Sequence, residues 1–244
     1  MENILKRSTD DNTTRPASVG ILMLETRFPR ILGDIGNPHT WPFPVHYRVV
    51  QGATAGKAVR DDPRLLAAAF IKAGHELVQL GCDGITTSCG FLSLIQHEVK
   101  DALGVPVATS PLMQVSMLQQ LLPKGRRVGI LTISANTLTP AHLAAAGAPE
   151  DTPVMGTDNG RYFSQAILND TPDLDVAACR LDLINAAQSL IQSYPDVGAI
   201  VLECTNMAPY AHDIHIATGL PVYSIYSFVS WFQSGLSPRI FENQ

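Results

Sequence analysis

The chain is short of charge: Asp, Glu, Lys and Arg make up 16% of its 244 residues, and the formal balance is −5. No basic stripe gathers along it, which argues against a nucleic-acid partner. It also lacks any uninterrupted apolar run near the roughly 20 residues of a membrane-spanning helix. Residues 1–17 are polar and breaker-rich, through Thr13-Thr14-Arg15-Pro16, and contain no apolar core of the kind a signal peptide needs. They read as a flexible tail. Cysteine is scarce as well, with four in the chain. Without a secretion signal these are expected as reduced thiols in the cytoplasm rather than a disulfide scaffold.

Signals for bound groups are equally thin. The Gly-rich dinucleotide fingerprint is missing after Leu24, where Glu25-Thr26-Arg27-Phe28 follows, and no Gly-x4-Gly-Lys-Ser/Thr phosphate loop occurs. No lysine has a context that marks a pyridoxal phosphate site. His212 and His215 lie three apart on an expected helix, but spacing indicates no third ligand, so no metal site is assigned. The expectation is chemistry without a cofactor.

What the chain does contain is an internal repeat. Gly104-Val105-Pro106-Val107 returns as Gly219-Leu220-Pro221-Val222, an offset of 115 residues, and Cys89 and Cys204 are separated by the same 115. Upstream, Val19-Gly20-Ile21-Leu22-Met23-Leu24 recurs as Val128-Gly129-Ile130-Leu131-Thr132-Ile133 at an offset of 109. The difference falls in connecting segments, where insertions are tolerated. The period is far too long for a solenoid. Two halves of similar design follow, each with an apolar strand near its start, a Cys-bearing strand and a Gly-x-Pro-Val strand.

Short apolar runs bounded by Gly, Pro or Asp alternate with longer helical segments, the pattern of parallel βαβ units and an α/β fold. Strands are expected over Ser18–Leu24, Val45–Val50, Gly84–Thr87, Val105–Ala108, Arg127–Thr132, Thr152–Met155, Ala199–Leu202 and Pro221–Ser224. Apolar residues at Leu65, Leu66, Ala69, Phe70, Ala73, Leu77 and Leu80 mark a helix within Asp62–Leu80, and Leu174–Ser193 behaves likewise. The expected division is a first lobe over 18–122, completed by 211–244, and a second over 123–210. Ligands of such sheets bind beyond the carboxyl ends of the strands, where Cys89 and Cys204 both fall.

Gly84-Ile85-Thr86-Thr87-Ser88-Cys89-Gly90-Phe91 reads as a buried strand turning into a helix near Phe91, and Ile200-Val201-Leu202-Glu203-Cys204-Thr205-Asn206 repeats the arrangement. A sulfur at a helix start meets unpaired N–H groups that stabilise thiolate, and the same groups can hold a carboxylate. Two thiols facing one ligand from opposite sides can exchange a proton across a carbon and invert it. The bland alternative, a small buried hydrophobe, fits Cys82 and Cys179, which lack a counterpart at the 115 offset. Glu203 adjoins Cys204, but strand alternation points it to the other face, where fixing a backbone or pairing with a neighbour is expected of it, and it is not assigned as the base.

On these residues the chain resembles the aspartate/glutamate racemase superfamily, which includes aspartate, glutamate and hydantoin racemases, maleate isomerase and arylmalonate decarboxylase. The resemblance spans about Ser18 to Phe232. It implies two pseudo-symmetric lobes, each with a four-stranded parallel sheet flanked by helices, the site in the cleft between them, and a homodimer or higher homo-oligomer. It makes Cys89 and Cys204 the catalytic pair, with Gly90, Phe91, Thr205 and Asn206 beside the substrate, Thr132 and Ser134 on its carboxylate, and Arg161 toward a distal carboxylate. Arg27, in the long loop from Glu25 to Trp41, is a further candidate for a carboxylate.

Departures qualify the substrate. Family amino-acid racemases read Cys-Asn-Thr at the first turn, and here the turn is Cys89-Gly90-Phe91. The function expected is a cofactor-independent racemase or epimerase of a small carboxylate, an amino acid or derivative, using Cys89 and Cys204. Maleate-type cis–trans isomerisation, hydantoin racemisation and a non-catalytic two-lobed binding protein stand as the alternatives.

Overall fold

The computed structural model describes residues 16–238. The expected tail lies outside the described residues except for Pro16 and Ala17. Eight strands are described: β1 Val19–Leu24, β2 Val45–Val50, β3 Gly84–Thr87, β4 Val107–Ala108, β5 Arg127–Thr132, β6 Val154–Gly156, β7 Val197–Leu202 and β8 Val222–Tyr223. They form two four-stranded sheets with the same order, β2-β1-β3-β4 and β6-β5-β7-β8, and every pairing is parallel. The α/β architecture of two similar lobes is as the repeat implied.

Position in the sheet follows composition. β1, Val-Gly-Ile-Leu-Met-Leu, is central and buried along its whole length, as a strand covered on both faces requires. β2 carries His46 and Arg48 and lies at the edge, partly exposed, where charge discourages further strand pairing. Helices cover the faces. Helix Ala67–Gln79 buries Phe70, Ala73 and Leu77, and helix Val176–Ser193 buries Cys179, Leu183, Ala187 and Leu190. Each of the large side chains among them, Phe70, Leu77, Leu183 and Leu190, contributes on the order of 2 kcal/mol through its removal from water. The closing helix, Ile225–Leu236, packs Ile225, Phe228 and Val229 against Val19, Ile21 and Met23 of β1.

The repeat holds at the level of single bonds. The N–H of Ser88 donates to Leu22 O and that of Glu203 to Leu131 O, so each Cys turn hangs from the central strand in the same way. The N–H of Ile85 donates to Pro106 O and that of Ile200 to Pro221 O. Gly104 and Gly219 end matched helices in the left-handed conformation, at φ 67° and 68°, which glycine adopts without a side-chain penalty.

Candidate active site

Cys89 and Cys204 follow the ends of β3 and β7, and each begins a 3-10 segment, Gly90–Ile95 and Thr205–Tyr210. The lobes bring these turns together. Thr205 Oγ1 donates to Ser88 O at 2.7 Å across the seam. A side chain at position 90 would run into the main-chain oxygen and Oε1 of Glu203, so the two turns meet at backbone distance. Both cysteines are buried, with 7% exposure each, within one apolar cluster that spans the lobes.

The two sulfurs differ in their partners. The Cys89 sulfur faces the N–H groups of Phe91 and Leu92, which favour a thiolate, yet burial and the Glu203 carboxyl push its pKa up. Cys204 is raised well above the usual thiol range by burial first and by the Glu203 charge second, with Cys89 and Asp34 adding to it. Its Sγ donates to Asn206 Oδ1 at 3.6 Å. The helix-start amides are therefore present as expected, but burial outweighs them and both groups rest as thiols.

Asn206 is fixed by a residue the sequence left in a loop. Its Nδ2 donates to Asp34 Oδ2 at 2.7 Å. Asp34 is buried and also accepts from Gly36 N at 2.7 Å and from Arg30 Nη1 at 3.0 Å. With its N–H2 committed to Asp34, the Asn206 amide must turn its oxygen to Cys204. One charged residue of the first lobe thus sets the donor direction of a thiol in the second.

Thr132 and Ser134 are engaged by the chain's own carboxyls. Thr132 Oγ1 donates to Glu203 Oε2 at 2.8 Å, and Ser134 Oγ to Asp158 Oδ1 at 2.7 Å. Ser134 also lines a seam cavity of about 330 Å³ in which Val59 and Arg60 face Asn136 and Asp158. Phe91 is fully buried, edge-on to the His142 ring at 4.9 Å. Arg161 is exposed. Arg27 is 75% exposed and pairs across the seam with Asp170, Nε to Oδ2 at 3.0 Å. Neither arginine is brought to the cysteines by any of these contacts.

Glu203 does pair with a neighbour and fix a backbone, accepting from Thr132 Oγ1 and the N–H of Ile133, but strand reasoning turned it away from the Cys turns that it lies against. β7 ends at Leu202, so alternation no longer governs the next position, and the side chain folds to Thr132 at the end of β5. It is 1% exposed, and its Oε1 has no hydrogen-bond partner. The available signal was Gly90, where the turn departs from the Cys-Asn-Thr of the family that the sequence resembles. Among the described residues no group of three His, Cys, Asp or Glu is arranged to hold a metal ion. No helix among them is long and apolar enough to cross a membrane.

No family model matches the chain. Among curated proteins it is 28% identical over 242 residues to a dimethylsulfoniopropionate lyase of Durusdinium sp. clade D, covering 94% of this chain and 79% of that protein. Dimethylsulfoniopropionate lyase 7 of Emiliania huxleyi is 27% identical, with 91% and 68% covered, and lyase 3 of the same organism is 27% identical, with 84% and 56% covered. These relatives overturn the expectation of a racemase, and with it that of an isomerase, since the proteins that align along nearly the whole chain are lyases. Similar solved structures include an arylmalonate decarboxylase mutant (TM-score 0.62, 14% identity, 93% of this chain and 96% of that one). Allantoin racemase of Pseudomonas fluorescens (0.60, 15%, 93% and 99%) and a glutamate racemase of Bacillus anthracis (0.59, 14%, 90% and 81%) share the architecture. The chain has the fold of the aspartate/glutamate racemase superfamily.

Proposed function

We propose that this protein is a lyase that takes a proton from the carbon beside a carboxylate and expels a sulfonium group from the next carbon, with dimethylsulfoniopropionate as substrate. The observation that carries the reading is the meeting of the Cys89 and Cys204 turns across the seam in a chain that aligns over 94% of its length with such a lyase. A fold that takes a proton from the carbon beside a carboxylate serves several reactions. The fate of the electron pair depends on what the neighbouring carbon carries. In a racemase a second group returns a proton to the far face. Here the pair forms a C=C bond, the C–S bond breaks, dimethyl sulfide leaves with its electrons and acrylate remains. The substrate has no stereocentre, so there is nothing to racemise.

Cys89 is the base in this proposal, because two amides point at its sulfur, whereas Cys204 has one, from Asn206, and keeps its proton on the Asn206 side-chain oxygen. The substrate supplies the charge that deprotonation needs: a sulfonium beside a buried thiol favours the thiolate. Backbone amides of the Gly90–Phe91 and Thr205–Asn206 turns receive the single carboxylate, while the Thr205, Asn206, Thr132 and Ser134 side chains, bonded within the chain, hold those turns in place. A substrate with one carboxylate leaves no task for a distal cation, in keeping with the exposure of Arg161 and the pairing of Arg27. A homodimer and a cytoplasmic location for the four free thiols belong to the same proposal, and light scattering and cell fractionation test them.

The test is headspace gas chromatography of the purified protein with dimethylsulfoniopropionate, with acrylate followed by NMR. Equal amounts of dimethyl sulfide and acrylate are expected, and Cys89→Ser is expected to lower the rate at least about a hundredfold, the usual scale for losing a general base. Release no faster than in buffer, or an unimpaired Cys89→Ser protein, overturns the proposal.

A further inference from the structure

Glu203 stands between the two cysteines without a task in the reaction above. It lies next to Cys204 in the chain and against the Gly90 backbone that follows Cys89, so close that no side chain fits at position 90. One of its oxygens is held by Thr132 Oγ1 at 2.8 Å and, at 3.4 Å, by the N–H of Ile133. The other, Oε1, is buried toward the opposite turn with no partner. An ionised carboxylate with one oxygen unsatisfied in a dry seam is unfavourable, whereas a neutral carboxyl can carry its proton there.

We propose that Glu203 is a positioning residue that sets the protonation of both catalytic thiols. While it holds a proton, a thiolate can form beside it; once it is ionised, its charge keeps Cys89 and Cys204 as thiols. The other titratable groups around it are few. Cys89 faces it from the first-lobe turn and Cys204 from its own segment. Asp34, on the loop after β1, reaches Cys204 through Asn206. From β5 and its following residue come only the neutral donors of Thr132 and Ile133, while Asp158 is turned to Ser134 and the N–H of Ala135. Burial places the Glu203 pKa at about 7, so the change falls in the neutral range. The same arrangement accounts for Gly90: the first turn gives up a side chain, and the space goes to a carboxyl from the other lobe.

The proposal rests on the two thiols of the site and not on the identity of their substrate. Iodoacetamide alkylation of the whole chain without substrate tests it, with mass spectrometry of the peptides resolving Cys89 from Cys204 across pH 5.5 to 8.5. Glu203→Gln removes the ionisable proton and keeps the shape. Its rate relative to wild type is expected to be near one at the acid end and to rise through neutrality to about tenfold at the alkaline end, one thiol pKa unit being tenfold in thiolate. A ratio that stays constant with pH, or that falls, overturns the proposal. Thr132→Val provides a second arm should the glutamine protein fail to fold. Loss of the hydroxyl that stabilises the carboxylate moves the flattening of the wild-type rate profile to higher pH, and an unmoved profile overturns the proposal. Dimethyl sulfide release decides the lyase reading separately, so either can fail alone.

Discussion

Gly90 shows how a single missing side chain organises the site. Its place is not a matter of backbone freedom, because it is absent from the glycines with positive φ. It is a matter of space, since a methyl there meets both the backbone and the carboxyl of Glu203. Gly90→Ala is expected to lower stability by about 1 to 3 kcal/mol, the scale of overpacking a close contact, read as a lower urea midpoint at unchanged slope. Residues of this kind divide what the sequence shows from what it hides. Cys89 and Cys204 were legible because a repeat marks both. Asn206 was named beside them, but its pairing with Asp34 was not legible, because the two are 172 positions apart and meet only when the lobes close. Glu203 was visible but misdirected, since an alternation rule was carried one residue past the strand it describes. What happens after proton removal was not legible at all, because it is decided by a group on the substrate's neighbouring carbon.

At the scale of elements the reading of sequence was closest where hydrophobic runs are bounded by unambiguous residues. β2, β3 and β5 have the expected limits. The Gly-x-Pro-Val strands are shorter than expected, Val107–Ala108 and Val222–Tyr223. Pro106 and Pro221 have no N–H for the ladder and contribute only carbonyls, to Ile85 and Ile200. The expected first helix divides into a 3-10 turn, Pro63–Leu66, and helix Ala67–Gln79. Helix Val176–Ser193 begins where Asp175 caps it, its carboxylate accepting from Ala178 N at 3.0 Å. Asp175→Ala is expected to cost about 1 kcal/mol, the usual value of an N-cap, visible as a lower thermal midpoint. The Asp175 carboxylate bonds within its own helix, so alkylation of Cys89 should be unaffected, and a change there would mean that the helix end communicates with the seam.

For the whole molecule, the seam between lobes is where stability and chemistry share the same groups, and its pH dependence follows from two of them. His142, on the second lobe against Phe91, has its pKa lowered to about 4 by burial. Its folded value lies below its unfolded one, so its contribution is lost as pH falls from about 6.5 toward 4. Glu203 acts in the opposite sense. Its folded value of about 7 lies above the unfolded 4.5, so the folded chain binds the extra proton in that window, and stability declines as pH rises through it. The two slopes oppose one another between about 4.5 and 6.5; above that, Glu203 acts alone. Glu203→Gln removes one slope and leaves the other. Measured by urea unfolding, its stability relative to wild type is expected to improve from pH 5 to pH 8 by up to about 3 kcal/mol, the linkage equivalent of the shift. Parallel stability profiles for the two proteins would show that the carboxyl between the cysteines ionises at the same pH folded and unfolded, and that the seam is wetter than its packing implies.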